Sequence, residues 1–354
     1  MNRTARKHGT TIRRIIRWGG HLRRVLATSV VVFLLGVTTQ ASAAFANGEG
    51  VARVPNLATA DDGFGLALQA DGKVLVAGRC LGSGSVNYNP CVARLHADGS
   101  LDQSFNPTGS VPGKRILDGL QVLTTSIRAV KVLVQSDGKI VLAATCRATL
   151  AAPSQFCVAR LNSDGSYDTA FDGPDTANPG NGRFLAPISS GSSNDRLGSA
   201  ALQAIDGRLV LVGQCYEYPC IARLKLADGS FDDNAADFGF VGPGAADRAP
   251  GDPGANGRVI YRFPSALNSD GRAESIAVST TAEGKTLVAG TCAFTGSTYE
   301  ELCLAKFNRD GTWDADFRGD SLPVGQGGRV RIATTDEQGN FVAQRAADAQ
   351  TIDV

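Results

Sequence analysis

Methionine occurs once in these 354 residues, histidine three times, and the aromatic residues Phe, Trp and Tyr make up 6%. Two of the histidines, His8 and His21, fall near the N-terminus, so His96 stands alone in the rest of the chain. A single histidine leaves no His-based metal site and no Ser-His-Asp triad. Missing too are the G-x-S-x-G elbow, the phosphate-binding glycine loop and H-E-x-x-H. Acidic residues are absent from residues 1–43. No apolar run approaches the roughly 20 residues of a membrane span.

That acid-free leader carries Arg3, Arg6, Lys7, Arg13, Arg14, Arg17, Arg23 and Arg24, then the uncharged run Val25–Val37, then Ala41-Ser42-Ala43. A basic segment, a short apolar segment and a small-x-small site form, in that order, a secretory signal peptide. Residues 1–43 are therefore read as a signal peptide and 44–354 as the mature domain. An uncleaved anchor is the competing reading, and Arg13-Arg14 leaves Sec and twin-arginine export both open. The chain has 35 basic and 34 acidic residues, a net charge of +1; removing the eight leader cations takes it to −7. An acidic chain has no footprint for nucleic acid and is repelled by anionic lipid. The 42 glycines and scarce aromatics suit short strands joined by many turns.

What is present is a repeat. Asp71-Gly72-Lys73, Asp137-Gly138-Lys139, Asp206-Gly207-Arg208 and Glu283-Gly284-Lys285 mark the same point in four units. Each unit is expected to hold four strands. The first follows a glycine, at Gly113–Leu117, Gly182–Leu185, Gly257–Tyr261 and Gly328–Ile332, with Val51–Pro55 in that part at the start. The second leads into the acidic-Gly-basic turn, whose residues suit a tight hairpin. The third (Val74–Cys80, Ile140–Cys146, Leu209–Cys215, Thr286–Cys292) is apolar without alternation, which predicts a strand covered on both faces. The fourth runs Cys91–Leu95, Cys157–Leu161, Cys220–Leu224 and Cys303–Phe307. Covered sheets of four antiparallel strands predict an all-β fold of propeller-like blades, with a linear β-stack as the alternative. By this division Gly328–Ile332 opens a partial fifth unit, and Ala349–Val354 corresponds to Ala273–Val278. Both ends then supply the same strands, so the ring is left open or the reading frame is truncated.

The pattern Q-x-D-G-K-h-L-V-A-G followed by A-R-L-x-x-D-G-S-h-D-x-x-F resembles the delta-60 repeat of bacterial secreted and surface proteins. It is carried by Gln69–Gly78 with Ala93–Phe105, Gln135–Ala143 with Ala159–Phe171, Gln203–Gly213 with Ala222–Phe238, and Glu283–Gly290 with Ala305–Phe317. The resemblance implies a propeller-like fold and a life outside the cytoplasm, and brings no catalytic residues with it. This chain departs from the family in its longer units and in a cysteine pair in every one.

Those pairs are Cys80/Cys91, Cys146/Cys157, Cys215/Cys220 and Cys292/Cys303. The third loop is six residues shorter than the others, yet its cysteines keep to the strand ends, as a hairpin staple requires. Zinc is the competing reading, but no pair is Cys-x₂-Cys. Two carboxylates recur around each following turn, Asp98/Asp102, Asp164/Asp168, Asp228/Asp232 and Asp310/Asp314. They offer either calcium ligands or turn formers; no other cofactor is expected. Arg94, Arg160, Arg223 and Lys306 recur in the fourth strand. They either form a basic ring for an anionic ligand or pair with Asp102, Asp168, Asp232 and Asp314. Phe105, Phe171, Phe238 and Phe317 read as core anchors.

The expected protein is thus an exported scaffold of the periplasm, cell surface or medium, without a membrane span once the leader is removed. It would bind an unidentified protein or glycan and would not be an enzyme. The alternative is a propeller hydrolase, because paired carboxylates meet in space and not in sequence. Peptide mapping without reduction should recover four links, each inside one unit; free thiols or links between units would contradict the staple.

Overall fold

The computed structural model describes residues 61–81, 88–120, 130–149, 151–173, 180–189, 194–233, 239–243, 256–262, 269–294, 300–317 and 328–332. The leader, Val51–Pro55, Phe238 and Ala349–Val354 lie outside them. The described chain is all-β: sixteen strands form four antiparallel sheets of four. No helix among the described residues is long and apolar enough to cross a membrane.

The first sheet contains β1 (Asp61–Leu68), β2 (Val74–Leu81), β3 (Tyr88–Leu95) and β4 (Lys114–Ile116), and the second β5 (Lys131–Val134), β6 (Ile140–Cys146), β7 (Gln155–Leu161) and β8 (Arg183–Ala186). The third contains β9 (Asp195–Gln203), β10 (Arg208–Cys215), β11 (Tyr218–Lys225) and β12 (Arg258–Ile260). The fourth contains β13 (Ser269–Thr280), β14 (Thr286–Phe294), β15 (Glu300–Phe307) and β16 (Arg329–Ile332). Each sheet is a meander in chain order.

This grouping corrects the expected unit. The strand after each glycine closes the preceding sheet and does not open the next: β4 pairs with β3, and β16 with β15. The chain turns back at that glycine, whose amide meets the Phe105 carbonyl and whose carbonyl takes the Arg94 amide. Gly328–Ile332 therefore completes a fourth sheet instead of starting a fifth unit.

The sheets stack in sequence, β1 against β5, β5 against β9 and β9 against β13. No strand of the first sheet packs extensively on one of the fourth among the described residues, so the stack is not closed there. Burial follows from this. β6 is buried along its whole length. Ile140, Leu142 and Ala144 enter the layer shared with the first sheet, and Val141 and Ala143 the layer shared with the third. β10 divides likewise, Leu209 and Leu211 to one side and Val210 and Val212 to the other. These are the doubly covered strands that the apolar runs predict. β2 instead alternates, because among the described residues only one face of the first sheet is covered; on β1, Leu66 and Leu68 are 71% and 70% exposed.

Disulfides join β2 to β3 (Cys80–Cys91), β6 to β7 (Cys146–Cys157) and β10 to β11 (Cys215–Cys220), with Cα separations of 5.8, 5.6 and 5.7 Å. The constant separation is why the shorter third loop keeps its cysteines at the strand ends. The side chain of Cys292 lies outside the described residues. Closed disulfides of this kind belong to an oxidising compartment.

Consecutive sheets interlock through an aromatic ring and a turn. Phe105 and Phe171 are fully buried, and each ring sits under the Asp-Gly turn of the next unit. In the third unit this part is played by Phe240, not Phe238. The Phe240 amide reaches the Asp232 carbonyl at 2.8 Å, and its own carbonyl takes the Gly257 amide, as the Phe105 carbonyl takes that of Gly113. Residues inserted after Asp232 had displaced the expected position by two. Backbone bonds fix each seat: Asn106 to the Asp164 carbonyl (2.6 Å), Gly173 to Asp228 (2.8 Å) and Val241 to Asp310 (2.8 Å).

The glycine of the seated turn is constrained twice. Gly165 has φ +83°, and a Cβ there would lie 2.8 Å from the Phe105 ring. Gly207, with φ +63°, has nothing within 4 Å of that position. Gly207→Ala should therefore cost only the left-handed backbone strain, about 1–2 kcal/mol. Gly165→Ala should cost roughly 1–3 kcal/mol more, through overpacking. Denaturant titration of both variants checks the difference.

Candidate functional site

The four recurrent basic residues lie on equivalent strands, β3, β7, β11 and β15, and each meets the aspartate of its own unit. Arg94 Nε reaches Asp102 at 2.8 Å, Arg160 Nε Asp168 at 2.7 Å and Arg223 Nε Asp232 at 2.6 Å; Lys306 Nζ reaches Asp314 at 3.2 Å. Each cation also lies over the phenylalanine of its unit, Phe105, Phe171, Phe240 or Phe317, at 4.3 to 5.5 Å. The three arginines then cross to the next sheet. Arg94 Nη1 donates to the Ser163 carbonyl, Arg160 Nη1 to that of Leu226 and Arg223 Nη1 to that of Arg309. Of the two sequence readings, this geometry answers to the ion pair. The arginines are buried in the seams between sheets, spent on carboxylates and carbonyls.

The acidic-Gly-basic turns add a second cation to each of these aspartates. Lys73 lies 3.5 Å from Asp102, Lys139 2.8 Å from Asp168, Arg208 3.0 Å from Asp232 and Lys285 2.9 Å from Asp314. The basic residue of the turn thus reaches forward to the end of its own unit, a role that local spacing does not reveal. The first aspartate of each pair closes its own turn: Asp98, Asp164 and Asp228 each accept from the amide and hydroxyl of the serine two residues on, and Asp310 does so from Thr312. The carboxylates considered as calcium ligands are thus engaged with protein donors. No group of three metal-ligating side chains assembles among the described residues.

With the interlock common to the seams, the differences between seams stand out. Between the third and fourth sheets, Gln203 Nε2 donates to the Gly284 carbonyl, and Arg223 Nη1 lies 3.3 Å from Gln203 Oε1. Arg309 Nε pairs with Asp206 at 2.9 Å, leaving the Asp206 side chain 6% exposed. Between the first and second sheets the corresponding residues are Gln69, Gly138, Asp71 and, where Arg309 stands, Ser163. The short serine reaches no carboxylate, and the Asp71 side chain is 55% exposed.

A cleft of about 520 Å³ opens at this seam, within the usual range of small-molecule sites. One wall presents Gln69, Asp71, Lys73, Arg94 and Ser104, and the other Val134, Gln135, Ser136, Gly138, Ser163 and Asp164. Gln69 Oε1 and Gln135 Oε1 are buried without a hydrogen-bond partner. An orphaned buried acceptor costs about 1–3 kcal/mol, so Gln69 Oε1 marks a place in the cleft wall where a donor is wanted. Lys73 Nζ holds Asp71 at 3.2 Å, so charge within the cleft is largely paired.

Residues 69–105 and 135–171 match a family described as a domain of unknown function (DUF5122) beta-propeller. These are the same stretches that carry the repeat resemblance in the first two units; the delta-60 name is not part of that description. No curated protein matches. Among solved structures, the chain is similar to an α-L-arabinanase of Penicillium chrysogenum complexed with arabinobiose, at 11% identity and TM-score 0.39, covering 78% of this chain and 67% of that one. It is similar to a GH93 α-L-arabinofuranosidase of Fusarium graminearum at 8% identity and TM-score 0.38, with the same coverage. A glycosyl hydrolase from Bacteroides ovatus aligns at 12% identity and TM-score 0.33, covering 71% and 68%. The expectation that the chain is not an enzyme is set aside, since these structures are named as glycoside hydrolases. At these identities and TM-scores no role passes from those structures to this chain.

Asp102 gives the interlock a pH signature. Burial would raise its pKa, but the Ser104 hydroxyl and amide and the Arg94 charge outweigh this and hold it at about 2. The folded value lies below the unfolded one, so the stabilisation is complete above about pH 4 and is lost as pH falls towards 2. The melting temperature should fall across that window. Asp102→Asn, melting lower at pH 7, should show a flatter acid limb in the same measurement.

Proposed function

We propose that this chain is an exported, disulfide-stapled repeat scaffold that binds carbohydrate at the periplasm or cell surface. The observation that carries this reading is the polar cleft between the first and second sheets. Its walls offer the Gln69 amide, hydroxyls and an ammonium with little unpaired charge, a set that suits the hydroxyls of a sugar, each both donor and acceptor. The disulfides and the leader support an extracytoplasmic life. A protein ligand, the other class open from the sequence, would call on a broad surface more than on a cleft of this size.

A second reading, hydrolysis by paired carboxylates, is favoured by one observation: Asp71 and Asp164 line the same cleft. Both are held below the ordinary carboxylate range. For Asp71, the hydrogen bonds from Lys73 outweigh the opposing effect of burial. For Asp164 the Ser166 hydroxyl and amide are responsible. Both are thus ionised at neutral pH and suited to a nucleophile or base, and the proton for a leaving group would come from another acid.

One screen tests both readings. The oxidised chain is melted with a panel of neutral oligosaccharides, and the same mixtures are assayed for released reducing ends. A bound sugar at saturation should raise the melting temperature by about 2 °C or more. Reducing-end release that Asp71→Asn abolishes would establish hydrolysis. A panel that moves neither readout rejects the carbohydrate reading.

A further inference from the structure

The seam between the third and fourth sheets shows what the cleft at the first seam is built to hold. In the former, the protein fills the space itself. Arg309 occupies it and neutralises Asp206, and Gln203 is drawn across to the Gly284 carbonyl. In the latter, Ser163 replaces the arginine and the same framework is left open. Gln69 is only 9% exposed, yet its Oε1 has no partner.

The two seams differ in charge as well as in space. Arg208, the counterpart of Lys73, reaches the Asp232 carboxylate and the backbone carbonyl of Asp206, so the Asp206 carboxylate takes Arg309 as its cation. At the first seam Lys73 itself holds Asp71. Arg94 is engaged by Asp102, Ser104 and the Ser163 carbonyl, and the Asp164 carboxylate by Ser166. At the first seam the charged groups are thus paired, and the acceptor left without a donor is the uncharged Gln69 Oε1. A neutral molecule with several hydroxyls meets that need, and Val134 offers an apolar surface to its C–H face.

Resting on the carbohydrate reading, we propose that this cleft takes one neutral sugar ring, anchored by the side-chain amide of Gln69, and that Ser163 is the residue that keeps it open. Ser163→Arg would restore the plug found at the other seam, with Asp71 as its carboxylate. This makes the variant a selective block: the framework that accepts Arg309 folds around it.

The test uses saturation-transfer NMR of the oxidised chain with glucose, galactose, arabinose and maltose, and with L-arginine amide as a charged control. At least one sugar should bind. Gln69→Leu should weaken it tenfold or more, and Ser163→Arg should abolish it while melting at or above the parent temperature. Binding that survives in folded Ser163→Arg would move the site elsewhere and overturn this inference, leaving the carbohydrate reading standing. A tighter response to L-arginine amide than to any sugar would overturn the neutral ligand. Failure of every sugar to bind the parent chain would overturn both. Should Ser163→Arg not fold, unchanged affinity in Gln69→Leu is sufficient to reject the anchor.

Discussion

A guanidinium shared between two sheets is the contact on which the stack depends. Its Nε faces the aspartate of its own unit, its plane lies over that unit's phenylalanine, and Nη1 reaches a carbonyl of the next. Only arginine has donors in a fork wide enough for both directions. A buried ion pair contributes little net stability, because desolvation offsets attraction, yet losing one partner is costly. The device is therefore best understood as fixing register. It lets one sheet meet the next only where the Asp-Gly turn, the phenylalanine and the carbonyl coincide. The apolar layers between sheets supply the bulk of the burial but would tolerate sliding; the arginine does not.

Much of this architecture was legible in the sequence. Turns announced themselves as acidic-Gly-basic, central strands as unbroken apolar runs, and staples as cysteines that tracked strand ends despite a shortened loop. Other features were not. Sequence order shows that a strand follows Gly113 but not which edge it will join, and β4 pairs backward, with β3. In the third unit an insertion sets Phe240 two residues behind Phe238, and only the backbone bonds identify it as the seated ring. Nor does a recurrent arginine reveal its direction: a charge every unit looks the same whether it lines an opening or crosses a seam. The cleft was the least visible feature. It depends on Ser163 and Arg309, two residues in different units that occupy equivalent places before their Asp-Gly turns.

Repetition here separates tasks. Residues that recur hold one sheet on the next, and mutation at them is felt at the seam. Residues that vary at the same seam, such as the one before each Asp-Gly turn, are free of that duty because the interlock uses their backbone carbonyl alone. A carbonyl is supplied by any residue. The position can therefore carry an arginine that seals one seam and a serine that opens another, without loss of the fold.

The interlock also has a direction. The earlier sheet always gives the guanidinium and the ring, and the later one always receives them with its turn. Each of the first three units carries both halves, as a building block carries stud and socket, while the fourth has Lys306 in place of the guanidinium. A gene duplication that adds a whole unit would thus arrive with its own couplings. The array can grow or shrink by complete units without any compensating change, so the number of sheets is a quantity that evolution can adjust separately from what any single cleft has become.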